Sequence, residues 1–270
     1  MTVAPVQHGD RYVAMGSSFA AGPGLMPRTA GAPRPSGRSD SNYAHIVAGR
    51  LGLALTDVTY SGATTGDILG GSAAHPAQID AITADTRLVT VTAGGNDIGY
   101  LPALTFASLP WPLRSLATVR RRVGGFTDSS SIDQRFSALR ESLGEIVREV
   151  CKRAPDAQVV LVDYLSILPE ATNPDRGLHR LASRGDGDLV QWGRNVATRL
   201  SATFASVAAD TGCTFLDVGA RSQGHDAWSS DPWTRRFHLS LRGGAPYHPN
   251  AAGMAAVADM LVDLVSDRAA

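Results

Sequence analysis

The sequence contains few cysteines and no excess of charge of either sign. Only Cys151 and Cys213 occur in 270 residues, which excludes the dense disulfide framework of small secreted domains. Because Cys151 falls on the apolar face of a predicted helix and Cys213 begins a predicted strand, we expect two buried free thiols. Lysine plus arginine and aspartate plus glutamate each number 25, so the composition predicts no nucleic-acid partner.

Long apolar runs are also missing. No segment is long and apolar enough to cross a bilayer, so stable membrane insertion is not expected. The first residues, MTVAPVQHGD, lack the basic start and apolar core of a secretory signal peptide. The sequence as written therefore predicts a cytoplasmic protein, whereas a trimmed N-terminus would be consistent with secretion.

Familiar cofactor motifs do not occur either. The sequence holds no phosphate-binding GxxxxGK(S/T), no dinucleotide-binding GxGxxG and no zinc-binding HExxH pattern. Its seven histidines show no ligand spacing. We therefore expect neither a cofactor nor a metal, and the sequence predicts no particular oligomeric state.

What the sequence does contain is an alternation of strand-like and helix-like segments. The predicted strands begin at Arg11, Ala54, Arg87, Ala157 and Cys213. Helical periodicity fills the intervals, and Asn250 is placed as the N-cap of the last helix. Alternating elements of this kind predict a mostly parallel sheet with helices on both faces, and hence a single three-layer α/β domain over residues 1–270.

One stretch, about residues 100–130, interrupts the alternation. It begins with a segment that reads as irregular because of its three prolines, and it ends near the basic run Arg120–Arg122. We expect a variable insertion here. It would be either a packed loop with a solvated basic end or a wall or lid for an acyl chain, with the arginines facing a polar head group or an interface.

Polar residues follow the predicted strands where the chain leaves the sheet. Gly16 and two serines come after the first strand, Gly62 after the second, and the run GGND (Gly94–Asp97) after the third, while His248 precedes the last helix. In open α/β sheets, ligands bind outside the carboxyl ends of the strands. A serine, a glycine, an asparagine and a histidine therefore all occupy positions where active-site loops are expected.

These four blocks resemble those of the SGNH hydrolases, also called the GDSL esterase/lipase family. The family's Gly-Asp-Ser block is matched by GSSFAAG from Gly16, its glycine block by SGATTG around Gly62, and its Gly-x-Asn-Asp block by Gly94–Asp97. Its final block, Asp-x-x-His, is matched by APYHPN around His248. The resemblance covers almost the whole chain and implies a flavodoxin-like sheet of about five parallel strands.

The resemblance also implies roles for individual residues. Ser18 would be the nucleophile that attacks an ester carbonyl, and His248 would be its general base. The backbone N–H groups of Ser18 and Gly62, together with the Asn96 side-chain amide, would form an oxyanion hole. The substrate would be a small-molecule ester or a lipid, and no cofactor would be needed.

Two positions depart from the family pattern. Ser17 replaces the aspartate that precedes the nucleophile, and it is the alternative nucleophile if the register is shifted by one. Ala245 stands where the family places the acid of its triad. The partner of His248 would then be a backbone carbonyl in the 243–246 loop, with Ala245 expected first, or an upstream carboxylate from Asp231 or Asp226.

Three functions are therefore open. The leading hypothesis is a metal-independent serine esterase or lipase that works through an acyl-enzyme, with a Ser-His dyad or an atypical triad. The missing carboxylates at positions 17 and 245 leave room for a non-catalytic ligand-binding protein on the same fold. An acyltransferase with the same nucleophile is the third reading. Acyl length and alcohol moiety are not predicted.

Overall fold

A computed structural model of the chain describes residues 4–170, 187–239 and 244–266. Its centre is one five-stranded sheet with the order β2-β1-β3-β4-β5, and every adjacent pair of strands is parallel. The strands are β1 (Arg11–Gly16), β2 (Ala54–Asp57), β3 (Thr86–Thr92), β4 (Gln158–Val162) and β5 (Thr214–Leu216). The predicted parallel five-stranded sheet is therefore confirmed.

Helices cover both faces of this sheet. The helices of nine or more residues are α2 (Tyr43–Leu51), α7 (Ala117–Thr127), α8 (Ser129–Arg153), α9 (Gly187–Thr211) and α11 (Ala251–Ser266); the shorter ones are α1 (Ser18–Ala21), α3 (Thr65–Gly70), α4 (Gly95–Ile98), α5 (Tyr100–Ala107), α6 (Trp111–Arg114) and α10 (Val218–Arg221). Short 3₁₀ turns occur at Arg34–Ser36 and Gln78–Ala81. Helix α2 packs against α11, and α8 packs against α3 and α9. Since crossovers between parallel strands are almost always right-handed, we infer that these two groups lie on opposite faces, which gives the predicted three layers.

Local sequence signals explain most of these boundaries. Strand β1 coincides with its predicted span and is almost entirely buried, as a central parallel strand should be. The Asn42 side chain accepts a hydrogen bond from the His45 N–H and so begins α2, and Gly52 in the left-handed conformation ends it. Asn250 likewise accepts from the Gly253 N–H, so the predicted N-cap of the last helix is confirmed.

The segment that was expected to be irregular is largely helical. Its prolines do not break helices because they stand at or near helix starts: Pro102 lies in the first turn of α5, Pro110 is the N-cap of α6, and Pro112 follows within its first turn. A proline there loses no intrahelical hydrogen bond. That residues 100–130 are a variable insertion within a single domain stays a prediction.

Both cysteines are free thiols, but neither is buried as expected. Cys151 is exposed and Cys213 is only half-buried. On α8 the residues that face the core include Val147 and Val150, and Cys151 follows at an angle that turns it outward. Within the described ranges, no helix has the length and apolar character that crossing a bilayer requires.

Candidate active site

Ser18 is presented by a sharp turn between β1 and the single-turn helix α1. Gly16, at φ +147°, makes this turn, and a Cβ atom there would collide with the carbonyl of Thr92 on β3. The Gly16 N–H donates to the buried side chain of Gln78, whose own amide donates back to the Gly16 carbonyl. Gln78, which the sequence gave no reason to select, thus fixes the turn that carries the serine.

His248 meets Ser18 across 230 positions of the chain. The distance from His248 Nε2 to Ser18 Oγ is 2.6 Å, and His248 Nδ1 lies 2.7 Å from the carbonyl oxygen of Pro246. A carbonyl can only accept, so Nδ1 carries the hydrogen, and Nε2 of the neutral ring accepts from the Ser18 hydroxyl. The geometry places Ser18, rather than Ser17, against the imidazole.

The residues proposed as partners of His248 need one correction. A backbone carbonyl of this loop does bind Nδ1, as expected, but it belongs to Pro246 and not to Ala245. The Asp231 carboxylate lies 3.2 Å from Nδ1 of a different histidine, His225. Asp226 accepts the N–H of Trp228 within its own loop. Both upstream carboxylates are therefore engaged elsewhere.

The backbone around His248 is held by a short two-stranded contact. The Arg235 N–H donates to the His248 carbonyl, and the Tyr247 N–H donates to the Arg235 carbonyl. Tyr247 adopts φ +62°, an uncommon conformation for a residue with a side chain, and its hydroxyl lies 2.5 Å from that of Ser108. This turn sets which carbonyl faces the imidazole.

The surroundings of His248 favour its neutral form. Burial lowers its pKa to about 4, and the nearby Arg235 charge lowers it as well, while the Pro246 hydrogen bond acts in the opposite direction. Desolvation is the main cause of this shift.

Two of the three expected oxyanion donors, Gly62 and Asn96, lie on loops that are tied together. Gly62 has φ +87°, and the Asn96 amide donates to the carbonyl of Ala63, the next residue, at 2.9 Å. Asp97 accepts from both the N–H and the hydroxyl of Thr65. An asparagine amide has two hydrogens, so the bond to Ala63 leaves one for a ligand. Within the described residues, the Gly62 and Ser18 N–H groups donate to no protein acceptor.

Tyr164 is a further residue that the sequence did not single out. Its hydroxyl accepts the N–H of Gly95 at 2.9 Å. Burial raises its pKa, and polar contacts from Gly95 and from the buried Ser17 side chain oppose that rise. Tyr164 therefore links the β1 turn to the β3 loop at the position where the family's aspartate is replaced by serine. Its place directly after β4 was the available signal, because strand ends line the site.

Metal ligands are not grouped in the described part of the chain, where no set of three or more His, Cys, Asp or Glu side chains is arranged to hold an ion. The expectation that no cofactor is needed stays a prediction.

The chain is similar to known lipases. The sequence profile of the GDSL-like Lipase/Acylhydrolase family matches residues 14–256. Lipase 2 of Streptomyces coelicolor is 34% identical over 94% of this chain and 85% of its own length.

Two solved structures are also similar. An extracellular lipase from Streptomyces rimosus has a TM-score of 0.73 and 27% identity, covering 94% of this chain and 98% of its own. Phospholipase A1 from Streptomyces albidoflavus NA297 has a TM-score of 0.72 and 25% identity, with the same coverage. The profile match spans most of the chain and includes all four site loops, so this protein belongs to the GDSL-like lipase/acylhydrolase family.

Proposed function

We propose that Ser18 and His248 act as a two-residue catalytic unit that hydrolyses esters of lipid-like acids through an acyl-enzyme. As a member of its family, the protein is a carboxylic ester hydrolase. The observation that carries the assignment of residues is the 2.6 Å contact between His248 Nε2 and Ser18 Oγ. It is the distance that proton transfer from a nucleophilic hydroxyl requires.

Acylation begins when Ser18 Oγ attacks the ester carbonyl and His248 Nε2 takes its proton. The tetrahedral intermediate then collapses, the bond to the alkoxy oxygen breaks, and the imidazolium returns the proton to the departing alcohol. In the second half, water attacks the acyl-enzyme with His248 again as base. The products are a carboxylic acid and an alcohol, and the free serine is restored.

The negative charge of each tetrahedral intermediate would be stabilised by the Ser18 and Gly62 N–H groups and by the Asn96 amide. These groups lie on turns that the fold holds before substrate arrives, so they need little reorganisation during the reaction. One such donor typically contributes about 3–4 kcal/mol to lowering the barrier. The Asn96–Ala63 hydrogen bond supports the role, because it orients the amide while using only one hydrogen.

The carbonyl of Pro246 would orient the imidazole of His248 in place of the acid that the chain lacks at position 245. Its oxygen lies 2.7 Å from Nδ1, accepts the Nδ1 hydrogen and so selects the tautomer that leaves Nε2 free to accept a proton. A neutral carbonyl stabilises an imidazolium less than a carboxylate does. The low pKa of His248 is consistent with that arrangement.

The substrate class follows from the relatives. They include two lipases and a phospholipase A1, so we propose a lipid ester as the substrate of this chain. The S. rimosus relative is an extracellular lipase, and we propose secretion here in place of the cytoplasmic location first expected. Comparing ester-hydrolysing activity in culture medium and cell lysate tests the location.

The experiment for the nucleophile combines turnover of a soluble short-chain ester with fluorophosphonate labelling and peptide mass spectrometry. Ser18→Ala should abolish both turnover and labelling. Ser17→Ala is the matched control: it should reduce turnover at most moderately and leave the adduct on Ser18. An adduct on Ser17, or unchanged turnover in Ser18→Ala, would overturn the assignment. An acceptor alcohol added to the assay reveals any acyl transfer as transesterified product.

A further inference from the structure

The outer surface of helices α6 and α7 exposes apolar side chains that the proposed chemistry does not use. Among the residues that the structure describes, five large hydrophobic side chains are exposed, and three of them are Trp111, Leu113 and Leu116, at 65%, 44% and 50%. Isolated exposed hydrophobic residues are common, but a cluster usually marks an interaction surface. We call residues 111–127 the α6–α7 arm.

The α6–α7 arm is also strongly basic within a neutral chain. From residue 98 to residue 127 the sequence has four arginines and no acidic residue, although the whole chain has equal numbers of acidic and basic residues. Three of the four, Arg120–Arg122, are exposed, and they form no ion pair with another described residue. The charges of Arg120 and Arg121 are therefore available to an external partner, while Arg122 also contacts an aromatic ring of α5.

Within the part of the chain that the structure describes, the arm is attached to the protein mainly through helix α5. Neither α6 nor α7 has a fully buried residue. The attachment runs through Phe126, which stacks on Phe106 of α5 at 6.3 Å, and through Arg122, which lies over the same Phe106 ring. Trp111, Leu113 and Leu116 are exposed to solvent.

The beginning of the arm is connected to the catalytic loop. Ser108 ends helix α5, and its hydroxyl lies 2.5 Å from that of Tyr247, the residue before His248. Trp111 follows Ser108 after two residues, and the Arg114 side chain donates to the Ala107 carbonyl. The exposed apolar cluster therefore starts close to the loop that positions the general base.

We propose that the α6–α7 arm docks the enzyme on an anionic lipid surface. Arginines combined with exposed tryptophan and leucine are the composition by which interfacial helices bind such surfaces: the apolar groups enter the boundary between head groups and acyl chains, and the cations meet lipid phosphates. A lipid surface is favoured over a protein partner by this charge complementarity. The physiological purpose rests on the proposed lipid-ester function, because docking beside His248 would bring the site to its substrate.

The binding test uses the unaltered full-length enzyme with vesicles of ether-linked phosphatidylglycerol or phosphatidylcholine, which have no ester to hydrolyse. Co-sedimentation should show binding to phosphatidylglycerol that weakens with added salt, and much weaker binding to phosphatidylcholine. Replacing Arg120, Arg121 and Arg122 with glutamine should weaken binding to phosphatidylglycerol roughly 100-fold. The triple change Trp111→Ser, Leu113→Ser and Leu116→Ser should weaken it about tenfold or more.

Two matched controls separate the arm from general surface effects. Arg140, Arg148 and Arg221 are exposed elsewhere, and changing all three to glutamine removes the same charge but should alter binding less than threefold. Met26→Ser with Leu239→Ser removes the other two exposed large hydrophobic residues and should also have a small effect. Thermal unfolding and turnover of a soluble ester report whether each variant remains folded with an intact Ser18 site.

Several outcomes would overturn the proposal. These are no binding of the unaltered enzyme to phosphatidylglycerol, equal binding by the arm variants and the controls, or an arm that instead forms a dimer detected by sedimentation velocity. Because the vesicles carry no ester, their binding is measured independently of catalysis. If the unaltered enzyme does not hydrolyse a soluble ester, the proposed function is refuted. The vesicle result would still decide the role of the arm.

Discussion

Acid should inactivate this enzyme only near pH 4, because His248 must be neutral to accept the Ser18 proton. Burial and the neighbouring Arg235 lower the pKa of His248 from 6.5 to about 4. At pH 5.5 an ordinary histidine would be only about one-tenth neutral, whereas this one would be almost fully neutral. The value of kcat/KM at pH 5.5 should therefore stay close to its value at pH 7, instead of falling about tenfold.

The assay follows kcat/KM for a soluble ester from pH 3.5 to pH 8, with the released alcohol measured by chromatography and folding checked by circular dichroism. Arg235→Gln removes a positive charge near the imidazole and should move the acid midpoint upward. Arg236→Gln is the matched control, since Arg236 bonds to carbonyls of the neighbouring loop. An acid midpoint near 6.5 that neither variant changes would refute this account of His248.

The same pKa predicts how stability depends on pH. The folded state prefers the neutral ring, whereas His248 in the unfolded state becomes protonated as the pH falls below 6.5. The free energy of unfolding therefore decreases below pH 6.5 and levels off once the pH is below the folded-state pKa of about 4. Over this interval the loss attributable to His248 is about 3 kcal/mol. Urea unfolding at pH 7 and pH 4.5 should show a smaller decrease for His248→Gln than for the unaltered protein; equal decreases would contradict the burial argument.

Three further predictions concern residues around the site. Asn96→Ala should lower kcat about 100- to 1,000-fold with little change in KM; in steady-state assays, a change confined to KM would argue against an oxyanion role. Tyr164→Phe should leave the Gly95 N–H without its acceptor and lower the free energy of unfolding by about 1–3 kcal/mol. Ser17→Ala keeps that acceptor and should lower the free energy of unfolding less. Equal decreases for the two variants in urea titrations would count against the stabilising role of the Tyr164 hydroxyl. Burial raises the pKa of Asp163 from 3.8 to about 7, so its carboxyl lowers the free energy of unfolding as the pH rises from about 4 to 7, with no further loss at higher pH. The free energy of unfolding of Asp163→Asn, relative to that of the unaltered protein, should therefore be greater at pH 8 than at pH 5; no difference between these pH values would contradict it.

Much of the fold could be predicted because it depends on interactions between neighbours in the chain. The buried apolar run of β1, the Asn42 and Asn250 caps and the glycine that ends α2 each act within a few residues. Parallel strands place their following loops along one edge of the sheet. That rule placed the Ser18 turn at this edge, and the resemblance to the SGNH hydrolases implied that His248 would meet Ser18 there.

Tertiary structure decided which groups meet within that edge. Several carbonyls precede His248, and only the turn at Tyr247, held by Arg235 and Ser108, brings the Pro246 oxygen to Nδ1. Tyr164 joins two loops from different strands by one hydrogen bond. Such contacts depend on angles and on separations between distant segments, which no local pattern encodes. The sequence by itself therefore determined the kinds of residue at the site, and packing determined their partners.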